Sequence, residues 1–555
     1  MRLSDEQLRI IELTKAGGHA VFAGPGSGKT ALLVERVKIV SKERVPLCLT
    51  FTRNAAREMA ERANVPNAEF RTLDSLAYQF WKQNAWRYDL DTRGWEMMSE
   101  RDKLNVAREV CKKLMPRKYS PSDLVRAIGR MKRLGGYPFV LHMDLDETLE
   151  FEREMGLYED ELLTLMHAYE SFKHKHKMLE FEDLELFMCS VLEDGDVVFN
   201  AEDLSVDEAH DLSALQWRML ELIQTPNLFI VASPEQSIYG FRQAKPEYLG
   251  EFIKRKELKV HRLKANFRSA RKIIHVANKI YPVSEPVREE EGRAEYLGHF
   301  DSQREEARAI MERIDARPTA ILVRTNMQAL PFIVEALNLR RRYKTARSIF
   351  ERSSVKLLLD WLRVGANQDL EALKRVVAAM ELQPDATLKS AKQAVELTDA
   401  KLAIAFVRKS LGLDTHIAMH AAEDEDYEDE MWLLDYVEMF GAGKSVDEFL
   451  SWVEEMQALE SDDAPLWIGT IHAAKGLEWD VVYVAGVTEG VLPHVHGDKD
   501  EELRLFYVAI TRARDELYLS SCVIRRFTKP SRYLDILGEA VVSVTRRETA
   551  AERGR

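Results

Sequence analysis

Cysteine is scarce: the chain has four in 555 residues. Cys48, Cys111, Cys189 and Cys522 stand too far apart for a disulfide framework or for the paired spacing of a zinc site. Long apolar runs are absent too. No stretch approaches the roughly 18 uncharged residues of a membrane span, and the opening MRLSDEQLRIIEL lacks the basic-then-apolar layout of a secretory signal. A cytoplasmic protein without membrane contact is expected. Positive charge is not in excess either, since 79 Lys and Arg face 92 Asp and Glu for a formal −13. Nucleic-acid binding through bulk charge is thereby excluded, and any such site must be a local groove. Seven of the acids fall in one run, AEDEDYEDE over 422–430, which reads as a solvated loop or helix end. His416 and His420 precede it at helical spacing without a third ligand, so no structural metal is expected.

What remains is ample material for several cores, with 46% hydrophobic and 31% charged residues in a length that suits several domains. The strongest local signal is AVFAGPGSGKTALLVERV, where an apolar run ends in a Gly/Pro/Ser loop that opens onto a helical pattern. This is the setting of a P-loop. Gly24, Gly26 and Gly28 let backbone N–H groups turn inward around phosphate oxygens, Lys29 adds a point charge, and Thr30 can place its hydroxyl on Mg²⁺. Ala23 takes the place of the first glycine, and Pro25 and Ser27 complete the cradle, so 23–30 is the expected nucleotide-binding segment.

The same order of apolar strand, polar turn and helix recurs at VPLCLTFTRNAAREMAERA, DLSVDEAHDLSALQWRML and NLFIVASPEQSIYGF. It predicts a parallel, doubly wound sheet whose polar turns share one site beyond the strand ends. TAILVRTNMQA, PLWIGTIHAAKGLEWDVVYVAGV and RLFYVAITRARDELYLSS rebuild a second such set. Between the blocks lie two tracts without strand runs, about 91–177 and 354–463, whose periodic apolar positions (VKLLLDWLRV, VDEFLSWVEEM) predict amphipathic helices.

Read in order after AGPGSGKT, the motifs VDEAHD, QSIYGFR, NFRS, TIHAAKGLEWD and YVAITRAR resemble those of superfamily 1 helicases of the UvrD, Rep and PcrA group, nearly end to end. The resemblance implies an α/β fold of two RecA-like parallel-sheet P-loop cores, each with an inserted, mainly helical domain. The implied boundaries are 1–90 with 178–262 for the first core, 91–177 for its insertion, 263–353 with 464–545 for the second core, 354–463 for its insertion, and a short tail at 546–555.

The resemblance also assigns a site. Asp207 is to hold Mg²⁺ with Thr30, and Glu208 is to orient or deprotonate the attacking water. Gln236 corresponds to a γ-phosphate sensor, Gln7 to a reader of the adenine edge, Phe267 to an aromatic against the adenine, and Glu478 to a ribose contact. Arg268 and Arg512 correspond to arginines presented to the γ-phosphate from the second core, so that hydrolysis in the cleft between the cores is coupled to strand movement. For single-stranded DNA, Phe51, Tyr239 and Phe241 correspond to stacking aromatics with Arg242 beside them, while Thr52, Asn54, Thr72, Ser75 and His472 correspond to phosphate or backbone contacts. Departures from the family pattern are Ala31 for an arginine, TRN for TNK, Asp74 for the histidine of TFHS, ASPEQ for GDDDQ and His210 for the glutamine of VDEFQD. None removes a P-loop, magnesium or arginine residue.

The expected activity is an ATP- and Mg²⁺-dependent DNA helicase or translocase that moves 3′ to 5′ on single-stranded DNA and at single/double-strand junctions, in repair, replication or recombination. The alternatives are a DNA-stimulated translocase that needs a protein partner, docked on the short second insertion, to unwind, and a nucleotide-gated DNA-binding switch. The absence of a carboxylate-and-lysine nuclease block disfavours a helicase–nuclease fusion.

Overall fold

The computed structural model describes residues 3–88, 90–115, 119–134, 159–397, 399–420 and 424–543. The expected tail at 546–555 and part of the first insertion lie outside them. The chain divides into two compact units, 1–269 with 281–289, and 270–280 with 290–555.

The first unit is built on a six-stranded, wholly parallel sheet. Its spatial order is Glu69–Thr72, Pro46–Thr50, Asp203–Val206, Leu228–Ala232, Gly18–Ala23 and Lys259–Leu263. The strands Pro46–Thr50, Asp203–Val206 and Leu228–Ala232 are buried at every position because both faces are covered. Successive side chains point to opposite faces, so Val21, Cys48, Phe229 and Val231 pack with Ile10, Leu32 and Val37, whereas Ala20, Leu49, Leu204 and Ile230 pack with Phe80, Trp217 and Phe252. A buried ion pair pins the helix Lys29–Val40 to the sheet: Arg36 forks onto both oxygens of Asp203 at 2.7 and 2.8 Å.

The insertion in this unit has its own core. Helices Glu100–Leu114, Pro121–Arg133 and Glu159–Lys175 contribute Val106, Val110, Leu124, Ile128, Leu165 and Tyr169. Ser99 and Asp102 form a reciprocal capping box on the first helix, and Ser120 followed by Pro121 starts the second. Lys132 and Lys173 are buried among Glu170, Glu180 and Asp183, so these acids have cations of their own.

The second unit has a seven-stranded parallel sheet in the order Tyr343–Thr345, Leu466–Thr470, Thr319–Val323, Trp479–Val484, Ala513–Cys522, Arg293–Phe300 and Val542–Ser543. Its helical tract runs through Ser353–Asn367, Leu370–Met380, Pro384–Val395, Ala400–Lys409, Leu413–His420, Asp424–Phe440 and Val446–Gln457. Leu358, Trp361, Leu434 and Phe449 of these helices join Ile321 and Val323 of the sheet in one continuous core. The described part of the acidic run opens the helix Asp424–Phe440, where Glu430 accepts from Arg352 at 2.8 Å and Glu428 from Arg525 at 2.7 Å. Among the described residues no helix is long and apolar enough to cross a membrane.

Candidate functional site

In the first unit the strand Gly18–Ala23 runs into a five-residue turn and then the helix that starts at Lys29. Gly26 and Gly28 have φ of 69° and 78°, in the left-handed region where only glycine sits without strain. At Gly26 space also demands it, since an added Cβ would lie 2.6 Å from the Cβ of Arg268. Ser27 Oγ donates to Gly24 O at 2.6 Å, which closes the turn upon itself. The result is a helix N-terminus fronted by glycines, a ready anion cradle. Ala23 and Pro25 take part through their carbonyls: Ser233 Oγ donates to Ala23 O, and Asn266 Nδ2 donates to Pro25 O at 2.7 Å.

Lys29 faces two partners. Its Nζ donates to Ser233 Oγ at 2.6 Å and lies 3.2 Å from Glu208 Oε1. Asp207 follows the strand Asp203–Val206 directly and is 4% exposed, and its Oδ1 has no hydrogen-bond partner. Burial and the charge of Glu208 push its carboxyl up to about 7, against the pull of Lys29. A buried, unpartnered hard oxygen beside the P-loop is a site that a divalent cation would satisfy. Thr30, one residue into the helix, is the second candidate ligand. Glu208 adopts φ 50°, a left-handed backbone that is strained for a side chain with a Cβ. Gln236 is buried at the end of the short turn Pro234–Gln236, where burial also raises the carboxyl of Glu235.

The NFRS segment packs on the P-loop. Phe267 N donates to Gly26 O at 2.9 Å, and Asn266 Oδ1 accepts from the backbone N–H of Arg268 and of Ser269. By its packing Arg268 stands among the last residues of the first unit, whose main segment ends at Ser269. The amide of Gln7 is engaged at both ends: Oε1 accepts from Ser4 N at 2.9 Å as part of a helix cap, and Nε2 donates to Ser27 O at 3.0 Å.

The strand-binding residues form two groups in this unit. Phe51 and Tyr239 stack at 5.5 Å between centroids with 16° between planes, and the Arg242 guanidinium lies 4.8 Å over Phe51. Of Phe241 only the backbone is described, in the turn Gly240–Arg242. Thr72 and Ser75 line a cavity of 410 Å³ with Arg53, Arg57, Arg71 and Asp74. The hydroxyls of Thr52 and Thr72 cap their helices, accepting from Ala55 N and Ser75 N at 3.1 Å each, and Asn54 is exposed in the first turn after Thr52.

In the second unit, Arg512 is 2% exposed and donates to Val508 O at 3.0 Å, Leu477 O at 3.2 Å and Thr511 Oγ1 at 3.1 Å. Glu478 is paired with Arg514 at 2.5 Å. Burial, with Arg324 and Lys475 nearby, pushes His472 down to about 4, so it is a neutral ring at physiological pH. Sequence reasoning missed Ser233 and Asn266 as cradle residues. His210 and the serine of ASPEQ stood out only as departures from a pattern, and Asn266 carried no signal beyond standing next to Phe267.

The comparisons agree with this geometry. Residues 3–257 match the UvrD/REP helicase N-terminal domain, and residues 261–403 with 425–523 match the UvrD-like helicase C-terminal domain. The ATP-dependent DNA helicase PcrA of Bacillus subtilis (strain 168) is 26% identical over 614 residues, covering 92% of this chain and 82% of the relative. PcrA of Staphylococcus aureus (strain COL) is 25% identical over 646 residues, covering 97% and 87%. With both domains matched in order, over two parallel α/β sheets and a formed P-loop, the chain belongs to the UvrD/REP helicase family.

Proposed function

We propose that the protein is an ATP-dependent DNA motor that moves 3′ to 5′ along single-stranded DNA and opens single/double-strand junctions, acting in the cytoplasm on repair, replication or recombination intermediates. One observation carries the reading. The Lys29–Ser233–Glu208 constellation and the Phe51–Tyr239–Arg242 stack lie on the same sheet, and the segment that begins at Ser233 runs on to Tyr239 and Arg242.

In this reading the backbone N–H groups of 24–28 and Lys29 hold the phosphates, and Asp207 and Thr30 would hold Mg²⁺. Bound there, Mg²⁺ would supply charge neutralisation for the phosphates. Glu208 orients the attacking water and accepts its proton, with Lys29 limiting the carboxylate to one direction. Gln236 follows the γ-phosphate, and Arg268 and Arg512 offset the charge that develops on its oxygens. Gln7, Phe267 and Glu478 contact adenine and ribose. Phe51 and Tyr239 stack bases without regard to sequence, which a motor requires, while Thr52, Asn54, Thr72, Ser75 and His472 hold the backbone. In the alternative reading, a DNA-stimulated translocase that needs a partner to unwind, that partner docks on the second helical tract.

The test is steady-state ATP hydrolysis with and without single-stranded DNA, with single-stranded RNA as competing activator, beside Glu208→Gln. Strong stimulation by DNA that vanishes in the variant is expected. Stimulation by neither strand overturns the motor.

A further inference from the structure

We propose that the single strand extends beyond the Phe51–Tyr239 stack, across the arginine-lined cavity and onto the outer face of the helix Leu73–Asn84, where Tyr78 and Trp86 are two further base-stacking positions; this rests on the function proposed above. Both residues follow the TLDS segment and lie outside the motifs that resemble the family's.

The lining of the cavity carries three arginines and one acid. The helix Arg53–Ala63 turns Arg53, Ala56, Arg57 and Ala60 toward it, positions three and four apart on one face, so small side chains alternate with guanidinium groups along that wall. Arg71 comes from the edge strand Glu69–Thr72 and shares its charge with Glu69 at 2.8 Å. Arg57 stands 4.0 Å from Glu61 with both side chains largely in solvent, a pairing of little worth. The acid, Asp74, is hydrogen-bonded to Glu185. Positive charge is therefore in surplus where a phosphate would sit.

The cavity continues the stack. Arg53 lies two residues after Phe51, and the charge of Arg53 and that of Arg242, whose guanidinium covers the Phe51 ring, both act on the Asp74 carboxyl. Tyr78 lines the same cavity. Its helix buries Leu76, Ala77, Phe80 and Trp81 in the core of the unit, which leaves Tyr78 and Lys82, four apart, on the outside. Lys82 Nζ lies 4.9 Å over the Tyr78 ring. Four residues further, Trp86 is 65% exposed, with the Arg87 guanidinium 4.8 Å over its ring. Its Nε1 donates to Gln83 O at 2.9 Å, so the indole is fixed while its surface stays in water. A single exposed aromatic needs no function. Two that each carry a cation on the ring, beside a cavity with arginine in surplus, are the combination that holds bases by stacking and phosphates by charge. From Tyr78 to Trp86 the helix rises about 12 Å, room for about three nucleotides at the ~3.4 Å spacing of a strand.

The experiment titrates the full chain with fluorescein-labelled dT oligonucleotides of about 8 and about 16 nucleotides, within the range of one strand platform. The long oligonucleotide is expected to bind about tenfold or more tighter than the short one, which fills the Phe51–Tyr239 stack. Trp86→Ala and Tyr78→Ala each lose about fivefold in Kd for the long oligonucleotide, the double variant loses the whole advantage of length, and Kd for the short one stays within about twofold. Trp86→Phe keeps a ring and most of the affinity, and it removes the quenching of indole fluorescence that the long oligonucleotide causes in the wild type. Arg57→Gln lowers the slope of log Kd against log salt by about one, whereas Trp86→Ala leaves that slope unchanged. Wild-type affinity for the long oligonucleotide in both alanine variants, or an equal loss on both lengths, overturns the proposal. A wild-type chain with the same Kd for the two lengths overturns it too and leaves the motor reading standing. A wild-type chain that binds neither oligonucleotide overturns the motor reading, and the extended path with it.

Discussion

Lys29 of the first unit and Arg512 of the second, both proposed above to act on the phosphates, are held in opposite ways. Lys29 is balanced between side chains of other elements, Ser233 and Glu208, which themselves belong to the site. Arg512 donates instead to Val508 O and Leu477 O and to its neighbour Thr511. Glu478 repeats the pattern, closed onto Arg514. A group held by other site residues keeps its aim without ligand. A group spent on local partners must give them up to act, at about 1 kcal/mol net per hydrogen bond. The first unit is preorganised and the second is satisfied.

The largest way to break that contrast is at its foundation. Arg36, on the P-loop helix, grips Asp203 at the start of the strand that ends at Asp207, and it also donates to Ser205 Oγ at 3.1 Å and Thr14 O at 3.0 Å. Both charged side chains are 0% exposed. Arg36→Leu leaves the buried carboxylate to Arg44 Nε, 3.5 Å from Oδ2, in place of the two-pronged hydrogen bond, and is expected to cost about 3 kcal/mol in denaturant unfolding. Replacing Asp203 by leucine as well should recover much of it, because the poorly compensated buried charge goes. An unchanged midpoint in the single variant would mean that the clamp does not set the P-loop against the strand.

Next comes Lys29→Met. Turnover is expected to fall by about 10²–10³-fold, the usual consequence of removing one preorganised donor at a developing charge, with the melting temperature essentially kept. Arg512→Lys sharpens the comparison, because it should do both things at once. A point charge cannot reproduce the fork, so the carbonyls at the end of the helix Lys499–Ile510 lose donors, stability drops by about 1–2 kcal/mol, and kcat falls about tenfold. Phosphate release and thermal melting on the same preparations check this. A slow but fully stable Arg512→Lys would show that its local partners are dispensable and erase the distinction between the units.

What the sequence disclosed follows the same physics. Pro46–Thr50, Leu228–Ala232 and Thr319–Val323 are buried at every position and announced themselves as apolar runs. Lys259–Leu263 and Glu69–Thr72 stand at sheet edges with only the last side chain of each buried, KVHRL and EFRT, and no periodicity marked them. Glycine and lysine of the P-loop were legible because phosphate binding fixes residue types at fixed spacing. Asn266 and Ser233 were not, because each acts through backbone carbonyls of a segment distant in sequence, a pairing that only the fold creates. That Arg268 packs in the P-loop unit follows from the same kind of contact, the Phe267 N–H on Gly26 O.

The smallest expected effect concerns Asp74, which stands where the family pattern has histidine. It is hydrogen-bonded to Glu185, itself 2% exposed and accepting from Gln216 at 2.8 Å. Two carboxyls can share a hydrogen bond only while one keeps its proton. Burial first, then the charges of Asp74 and Glu182, raises Glu185 well above its ordinary value against the hydrogen bond from Gln216; burial, with the charge of Glu182, raises Asp74 too, against the hydrogen bond with Glu185 and the pull of Arg242 and Arg53. The folded state then binds protons more tightly than the unfolded chain. The pair's contribution is complete below the ordinary carboxyl pKa and is lost as pH rises through the raised values. Glu185→Gln keeps an acceptor for Gln216 and cannot ionise. Its melting temperature should match wild type in mild acid and exceed it increasingly toward alkaline pH. Parallel curves would show that no proton is shared. Asp74 also lines the arginine-bearing cavity with Thr72 and Ser75, so the added negative charge at high pH should weaken single-strand binding in the wild type more than in Glu185→Gln. This separates the Asp74 substitution from an ordinary change of surface residue.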